Sequence, residues 1–258
     1  MRLLSLTSIA LLMSFNSSAQ DTTHHQFDIG FSDIRDFDDR FFGMRYRFYF
    51  EDLIKKDGPH KLIPYLNQID SISVSGFSID DVDHLAIQGE KFLEDDLIVS
   101  GYIKYIQDVT FYGNEKFYET AVTLGKKLTD TLQVGISVFY NYEKEYDSYH
   151  SSSNSEFTLG PYVRWTNIEQ NQGWDLELKQ YSGKEEYIQT QAAYYINKQW
   201  SISLSSSIEM DDFDNNNVEL QTEYWFGDLA SIRFGLGTRL GDDNNDIKSA
   251  TLLVSTRF

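Results

Sequence analysis

Polar and apolar side chains alternate with a period of two along almost the whole chain. The clearest stretch runs from residue 200 to residue 210. Alternate positions there are apolar: Trp200, Ile202, Leu204, Ile208 and Met210. The positions between them carry Ser201, Ser203, Ser205, Ser207 and Glu209. Successive side chains of a β-strand point to opposite faces, whereas an amphipathic helix repeats every 3.6 residues. The alternation therefore predicts strands with one apolar and one polar face.

Residues that favour turns divide the alternating stretches into about fourteen strands, an even number as in bacterial single-chain barrels. We place the strands near residues 25–32, 40–50, 62–78, 83–92, 97–109, 117–128, 132–145, 154–168, 173–182, 187–197, 200–211, 217–227, 230–241 and 247–258. The stretch from 61 to 79 fits least well, because its alternation breaks between Leu66 and Ile72. A β-bulge would explain this break. A count of twelve strands is the alternative.

The connections between these strands are expected to differ at the two ends. Residues 93–96, 129–131, 197–199 and 227–229 form tight turns, whereas residues 147–155 and 211–217 form longer polar loops. Short turns at one end and longer loops at the other are typical of the periplasmic and extracellular ends of outer-membrane barrels. No connection is long enough for us to predict a plug folded into the barrel.

Alternation alone does not separate a membrane barrel from a soluble sheet protein, but two further features do. The apolar faces carry almost no charge over many strands, and aromatic residues stand at the strand ends of those faces. They are Trp165, Trp174, Trp200, Phe226 and Phe258 at one end, and Tyr118, Tyr140, Tyr142 and Phe157 at the other. Aromatic girdles of this kind flank the lipid-facing band of membrane barrels. We therefore predict an all-β, closed antiparallel transmembrane β-barrel.

The N-terminus predicts export from the cell interior. Arg2 precedes a short apolar run over residues 3–15, and Ser17, Ser18 and Ala19 form a small-residue cleavage site. This pattern predicts a Sec-type signal peptide over residues 1–19, with the barrel over residues 20–258 in the bacterial outer membrane. The formal net charge of −18 argues against nucleic acid as a partner.

Two short stretches resemble known families. An alternating strand that ends in Phe258 resembles the assembly signal of bacterial outer-membrane proteins, which implies the barrel assembly machinery as a partner; Thr256 stands where that signal usually has an apolar residue. Gly58-Pro59, with residues 66–68 and 71–75, resembles the first periplasmic turn and following strand of the general porin family of gammaproteobacterial outer-membrane β-barrels. This resemblance implies a diffusion channel without catalytic residues, either a monomer or a homo-oligomer.

Charged residues on the polar faces are expected to line the lumen, because Arg or Lys facing lipid would cost about 2–4 kcal/mol at the bilayer midplane. A basic wall would contain Arg45, Arg47, Arg233, Arg239 and Arg257. An acidic wall would contain Asp175, Glu177, Glu209, Glu219 and Glu223. Two opposed walls would create a field across the pore. The alternative is that these charges simply pair locally.

The sequence thus predicts passive diffusion of small hydrophilic solutes, with mild preference for cations because acidic residues are in surplus. One alternative is a non-conducting structural or adhesion barrel that contacts outer-membrane lipid and lipopolysaccharide. Aspartates cluster in the predicted outer loops, at residues 33–39, 80–83, 211–214 and 242–246, where they would either bridge divalent cations to lipopolysaccharide or simply be solvated. A second alternative is a rim hydrolase using His84 with Asp81 or Asp83, although no motif supports it. We predict no enzyme, cofactor or metal site.

Overall fold

Fourteen antiparallel strands form a closed barrel, because β1 pairs with β14 as well as with β2. The computed structural model describes residues 22–34, 39–54, 56–79, 82–110, 113–147, 151–181, 187–209, 216–240 and 247–258. The strands are β1 (His25–Ile34), β2 (Asp39–Tyr49), β3 (Ser71–Ile79), β4 (Val82–Phe92), β5 (Leu97–Thr110), β6 (Gly113–Lys127), β7 (Leu132–Asp147), β8 (Ser151–Glu169), β9 (Gln172–Tyr181), β10 (Tyr187–Tyr195), β11 (Trp200–Glu209), β12 (Asn216–Phe226), β13 (Ala230–Leu240) and β14 (Ser249–Arg257). The predicted all-β barrel of fourteen strands is confirmed. The predicted signal peptide lies outside the described residues.

The burial of side chains is the reverse of that in a soluble protein. On β11, Leu204 on the outer face is 47% exposed, whereas its neighbour Ser203 on the inner face is 5% exposed. The same contrast recurs around the barrel, with exposed outward side chains such as Leu85, Ile103 and Leu220. An apolar outer surface of this extent is stable only where water is absent. In the described part of the chain, no helix is long and apolar enough to cross a membrane.

The two ends of the barrel differ in their connections. At the end that holds both termini, which we call the turn end, short turns join the strands. Two of these turns place consecutive residues in the left-handed region, Asp95-Asp96 and Gln170-Asn171. This conformation matches the twist of a tight hairpin. We call the opposite end of the barrel the loop end. The predicted loop 147–155 at this end is wrong, because part of it belongs to a strand. β8 begins at residue 151, because residues 151–155 pair with the outer part of β7, and pairing overrides the weak strand preference of a serine run.

The connection between β2 and β3 differs from the sequence expectation most. Residues 50–70, which we call the inward segment and of which residue 55 is not described, fold back inside the barrel. The predicted strand 62–78 and its bulge are wrong over residues 62–70: β3 begins at Ser71, and the short helix α1 (Ile63–Leu66) lies before it. Proline at the start of α1 lacks the N–H that strand pairing needs. The expectation that no connection folds into the barrel is also wrong.

Candidate functional site

The inward segment crosses the turn end of the lumen and contacts strands on opposite sides of the barrel. Its residues contact inward-facing residues of β5, β7, β8 and β10 on one side, and of β12 and β14 on the other. Contacts that span the circumference in this way require the segment to lie across the mouth. Sequence reasoning missed this feature, since the apolar residues of the segment resemble those of a strand.

Tyr65 of α1 anchors the segment on the β7–β8 side. The Arg164 guanidinium lies 3.4 Å from the centroid of the Tyr65 ring, and the Tyr65 hydroxyl donates to Gln133 Oε1 at 2.9 Å. Asp175 holds Arg164 in place by accepting from its Nε and Nη2, both at 2.9 Å. Ala193 packs in the same buried cluster as Tyr65. Burial raises the pKa of Tyr65, so its hydroxyl stays protonated and able to donate.

His60 and Lys61 anchor the segment on the opposite side. The carbonyl of His60 accepts from Arg257 Nη2 at 3.1 Å, and its imidazole lies against Trp225, with the ring centroids 5.9 Å apart. Lys61 Nζ lies 3.5 Å from Glu223 Oε2. Burial lowers the pKa of His60 to about 4, although the Asp228 carboxylate opposes this shift, so His60 is neutral at pH 7. His60 Nδ1 lies 3.0 Å from Asp228 Oδ1 but makes no hydrogen bond there.

The ends of the segment are tied to the chain near β1. Leu53, Ile63 and Ile69 form a buried apolar cluster with Tyr49 at the end of β2. The Leu53 N–H donates to the carbonyl of Thr23 at 3.0 Å, whose own N–H donates to an Asp52 carboxylate oxygen at 2.7 Å. The segment is therefore held at both ends and on both sides of the lumen.

The arginines of the predicted basic wall all occupy inward positions, but the structure does not leave them as a single-sign surface. Asp28 on β1, which the sequence analysis missed, accepts from Nε of Arg45 at 2.6 Å. Arg233 donates to Glu223 through Nε at 3.0 Å and contacts the same oxygen with Nη2 at 2.9 Å. Arg257 is buried beneath the inward segment, with its guanidinium 3.9 Å from the centroid of Trp225.

The two remaining arginines lie at different heights in the barrel. Arg47 donates at 3.4 Å to the hydroxyl of Tyr49, and the Tyr49 side chain packs against the inward segment. Arg239 lines a cavity towards the loop end. The five residues therefore follow neighbouring strands, as expected from closure, but they do not share one environment.

The predicted acidic residues are also engaged locally. Asp175 binds Arg164, Glu177 Oε1 lies 2.7 Å from Lys179 Nζ, and Glu219 accepts from Thr251 and Gln221. Glu209 is on β11, but its side chain is outside the described set. These contacts favour the local-pairing alternative over two opposed walls.

Two cavities occupy the lumen beyond the inward segment. The larger, which we call the outer cavity, measures about 630 Å³ and lies along β9–β14. Its lining includes Glu177, Lys179, Gln189, Gln191, Ser205, Ser207, Asn217, Glu219 and Arg239. The smaller, the middle cavity, measures about 310 Å³ and lies along β1–β4 and β12–β14. Most of the residues that line the two cavities occupy inner-face positions.

Of the residues proposed for a rim hydrolase, the structure does not bring Asp83 together with His84. His84 is on the inner face of β4, where its ring stacks on Phe77 with the centroids 4.3 Å apart. Asp83 points to the other face, and Asp81 lies outside the described residues, as do most of the loop aspartates. Among the residues that the structure describes, no group of three acidic, His or Cys side chains could hold a metal ion.

Comparisons with known proteins show the fold. The outer-membrane protein Omp33 of Acinetobacter baumannii superimposes with a TM-score of 0.66 over 93% of this chain and 99% of that chain, at 14% identity. CdiB of Acinetobacter baumannii superimposes with a TM-score of 0.54 over 93% of this chain and 61% of that chain, at 9% identity. No protein-family model and no curated protein matches the chain. The chain therefore has the fold of outer-membrane β-barrels.

Proposed function

We propose that this protein is an outer-membrane channel for the passive diffusion of small hydrophilic solutes, with the inward segment restricting its periplasmic mouth. The observation that carries the proposal is the outer cavity, because most of the side chains that line it are charged, amide or hydroxyl groups. Narrow structural barrels fill their interior with side chains, whereas wider barrels leave an aqueous path. Ser205 and Ser207, at inward positions of β11, line the outer cavity with small side chains that leave room for such a path.

The finer parts of the proposal follow from charge and position. The turn end faces the periplasm and the loop end faces outside, as the short turns suggest. Membership of the general porin family and assembly through Phe258 stay predictions. The acid surplus of the chain favours cations, but local pairing within the lumen makes us expect a small preference.

One observation favours the alternative of a non-conducting barrel. The inward segment is anchored on both sides of the lumen by buried contacts, so a permanently seated segment would stop solute flow. In that case the apolar exterior and the loops would carry the function, through contact with lipid and lipopolysaccharide.

Liposome swelling and planar-bilayer conductance test the channel. Purified protein should admit small sugars and ions, and Ser205→Trp, which fills the outer cavity, should reduce both rates by at least about half. Leu204→Trp is the matched control, because the neighbouring side chain faces lipid and should change neither rate. A protein that is silent in both assays, or that responds equally to the two substitutions, would exclude diffusion through this lumen.

A further inference from the structure

The middle cavity brings aromatic rings and guanidinium groups together in open space, whereas the outer cavity has no aromatic side chain among its described lining residues. The lining of the middle cavity includes the stacked rings of Phe77 and His84 and, close by, the guanidinium groups of Arg45 and Arg233. We propose that this cavity is a binding subsite for small carboxylates that carry an aromatic ring. The inference deepens the proposed channel function, since it names a class of solute that the channel would select.

The apolar half of the subsite consists of Phe77, His84 and Leu253. Phe77 and Leu253 occupy inward positions and are only partly buried. Their inward neighbours on the same strands, such as Ser75 and Thr251, are small and polar. An apolar side chain that faces a wet lumen gains when an apolar part of a solute covers it. The planes of the Phe77 and His84 rings are nearly parallel, at 18°, so the two rings form a stack that a planar ring of a solute can extend.

The polar half presents cations rather than anions to the cavity. The side chain of Arg45 is 28% exposed, whereas that of its partner Asp28 is 2% exposed. Arg233 is likewise 24% exposed and its partner Glu223 2% exposed. The carboxylates thus lie beneath the guanidinium groups. A guanidinium has five N–H donors, and the ion-pair contacts described here involve those on Nε and Nη2.

The remaining acid in the lining, Glu219, is already engaged. One of its oxygens accepts from Thr251 Oγ1 at 2.8 Å, and the other accepts from Gln221 Nε2 at 2.9 Å. A solute carboxylate is therefore a better match than an ammonium group, because it can accept charge-assisted hydrogen bonds from Arg45 or Arg233. The arginines are paired, so this gain comes from directed hydrogen bonds and not from a large net charge.

Size and composition distinguish the subsite from the outer cavity. About 310 Å³ lies at the lower end of small-molecule sites, which suits one ring with a carboxylate. The lining of the outer cavity has no aromatic side chain among the described residues. A sugar or a simple ion would gain no ring contact there, so the two cavities should differ in the solutes that they retain.

Equilibrium binding measured by ¹⁹F NMR with 4-fluorobenzoate tests the proposal without relying on conduction. The full-length protein in detergent micelles should broaden the fluorine signal, and empty micelles should not. Unlabelled benzoate should compete at least about tenfold better than acetate or benzylamine. Phe77→Ser removes the aromatic ring and leaves a small polar side chain, like that of Ser75 on the same face of β3. It should therefore weaken 4-fluorobenzoate binding about tenfold.

Arg45→Lys keeps the charge opposite Asp28 but loses the planar donor pair, so it should also weaken binding, by about three- to tenfold. Arg239→Gln is the matched control, since this arginine lines only the outer cavity, and it should bind 4-fluorobenzoate as the native protein does.

Equal competition by acetate or benzylamine, or an unchanged affinity in Phe77→Ser, would overturn the subsite. Binding without conductance would overturn the channel and leave the subsite standing, whereas conductance without binding would do the reverse.

Discussion

The two halves of the lumen are built from the same fourteen strands but differ in what fills them. At the turn end, large inward side chains such as Arg164, Tyr195 and Trp225 pack against the inward segment. At the loop end, small and polar side chains surround the outer cavity. β11 carries serine in both halves, so the strands themselves leave room throughout. The inward segment, rather than the barrel wall, therefore decides which half of the lumen is filled.

The two halves also use charge differently. Near the inward segment, Glu223 and Arg257 are buried and matched to groups of the segment. Removing one member of a buried pair leaves an uncompensated charge, which costs more than the pair itself contributes. In the outer cavity, Glu177 and Lys179 remain partly exposed, so water can replace a lost partner. Substitutions should therefore affect stability at the turn end and transport at the loop end.

Removal of the inward segment should have the largest effect. The Phe50 N–H donates to the carbonyl of Asp70 at 3.0 Å, so β2 and β3 are already adjacent and a short Asn-Gly turn can replace residues 51–69. We expect single-channel conductance to rise roughly two- to fivefold, because the cross-section at the turn end increases. Glu51→Gln, an exposed change in the same segment, is the control and should conduct as the native protein does. Unchanged conductance in the shortened variant would mean that the segment does not restrict flow.

The second effect concerns stability. Arg164→Met removes the cation above Tyr65 and leaves the Asp175 carboxylate without its guanidinium. We expect a loss of about 3–5 kcal/mol in the free energy of unfolding. Urea titration of vesicle-embedded protein measures this loss, with Lys179→Met as the partly exposed control at under about 1 kcal/mol. Similar losses in the two variants would contradict the difference between the halves.

Acid should loosen the inward segment. The pKa of His60 is lowered to about 4 in the seated segment, against 6.5 in water. Between these values the released state binds more protons, so seating is fully favoured above pH 6.5 and weakens as the pH falls to about 4. The shift corresponds to at most about 3 kcal/mol. Lys198 and Arg257 lower this pKa and Asp228 raises it, so all three contribute to the balance.

Channel opening frequency between pH 7 and pH 4 tests the role of His60. The frequency should rise as the pH falls through this window, and His60→Gln should remove the rise, because glutamine does not titrate. His25→Gln, at the exposed rim of the turn end, should retain it. An identical pH response in His60→Gln and the native protein would show that another group controls the segment.

The sequence predicts the wall of this barrel better than its contents, for a physical reason. Strand faces follow from alternation alone, and Leu204 and Ser203 lie as expected. Trp225 follows the same parity as Glu223, so a tryptophan on a polar face was a detectable sign that something apolar lies inside. The inward segment was not predictable in this way. Its seating depends on contacts such as Tyr65 with Arg164, which are distant in sequence and have no local pattern.

The smallest expected effect comes from Gly58→Ala, which tests whether the inward segment can loosen without unfolding the barrel wall. The φ of Gly58 is +114°, and a Cβ there would lie 2.6 Å from Leu66 Cδ1, so Gly58→Ala should weaken the seated segment by about 1 kcal/mol. Hydrogen exchange of the Leu66 and Ile69 amides, which donate within the segment to Leu62 and Pro64, should then quicken about fivefold.

Gly89→Ala is the matched control for Gly58→Ala. The backbone of Gly89 on β4 is not left-handed, and an added Cβ would meet only the Ser71 carbonyl oxygen, at 3.6 Å. In the Gly89→Ala variant, the hydrogen-exchange rates of amides in the inward segment should therefore equal those of the native protein. If Gly58→Ala speeds exchange in β11 as much as in α1, the segment and the barrel wall unfold together and the two halves are not separate units. If only the segment responds, its seating is a local equilibrium, which a channel needs in order to open without unfolding.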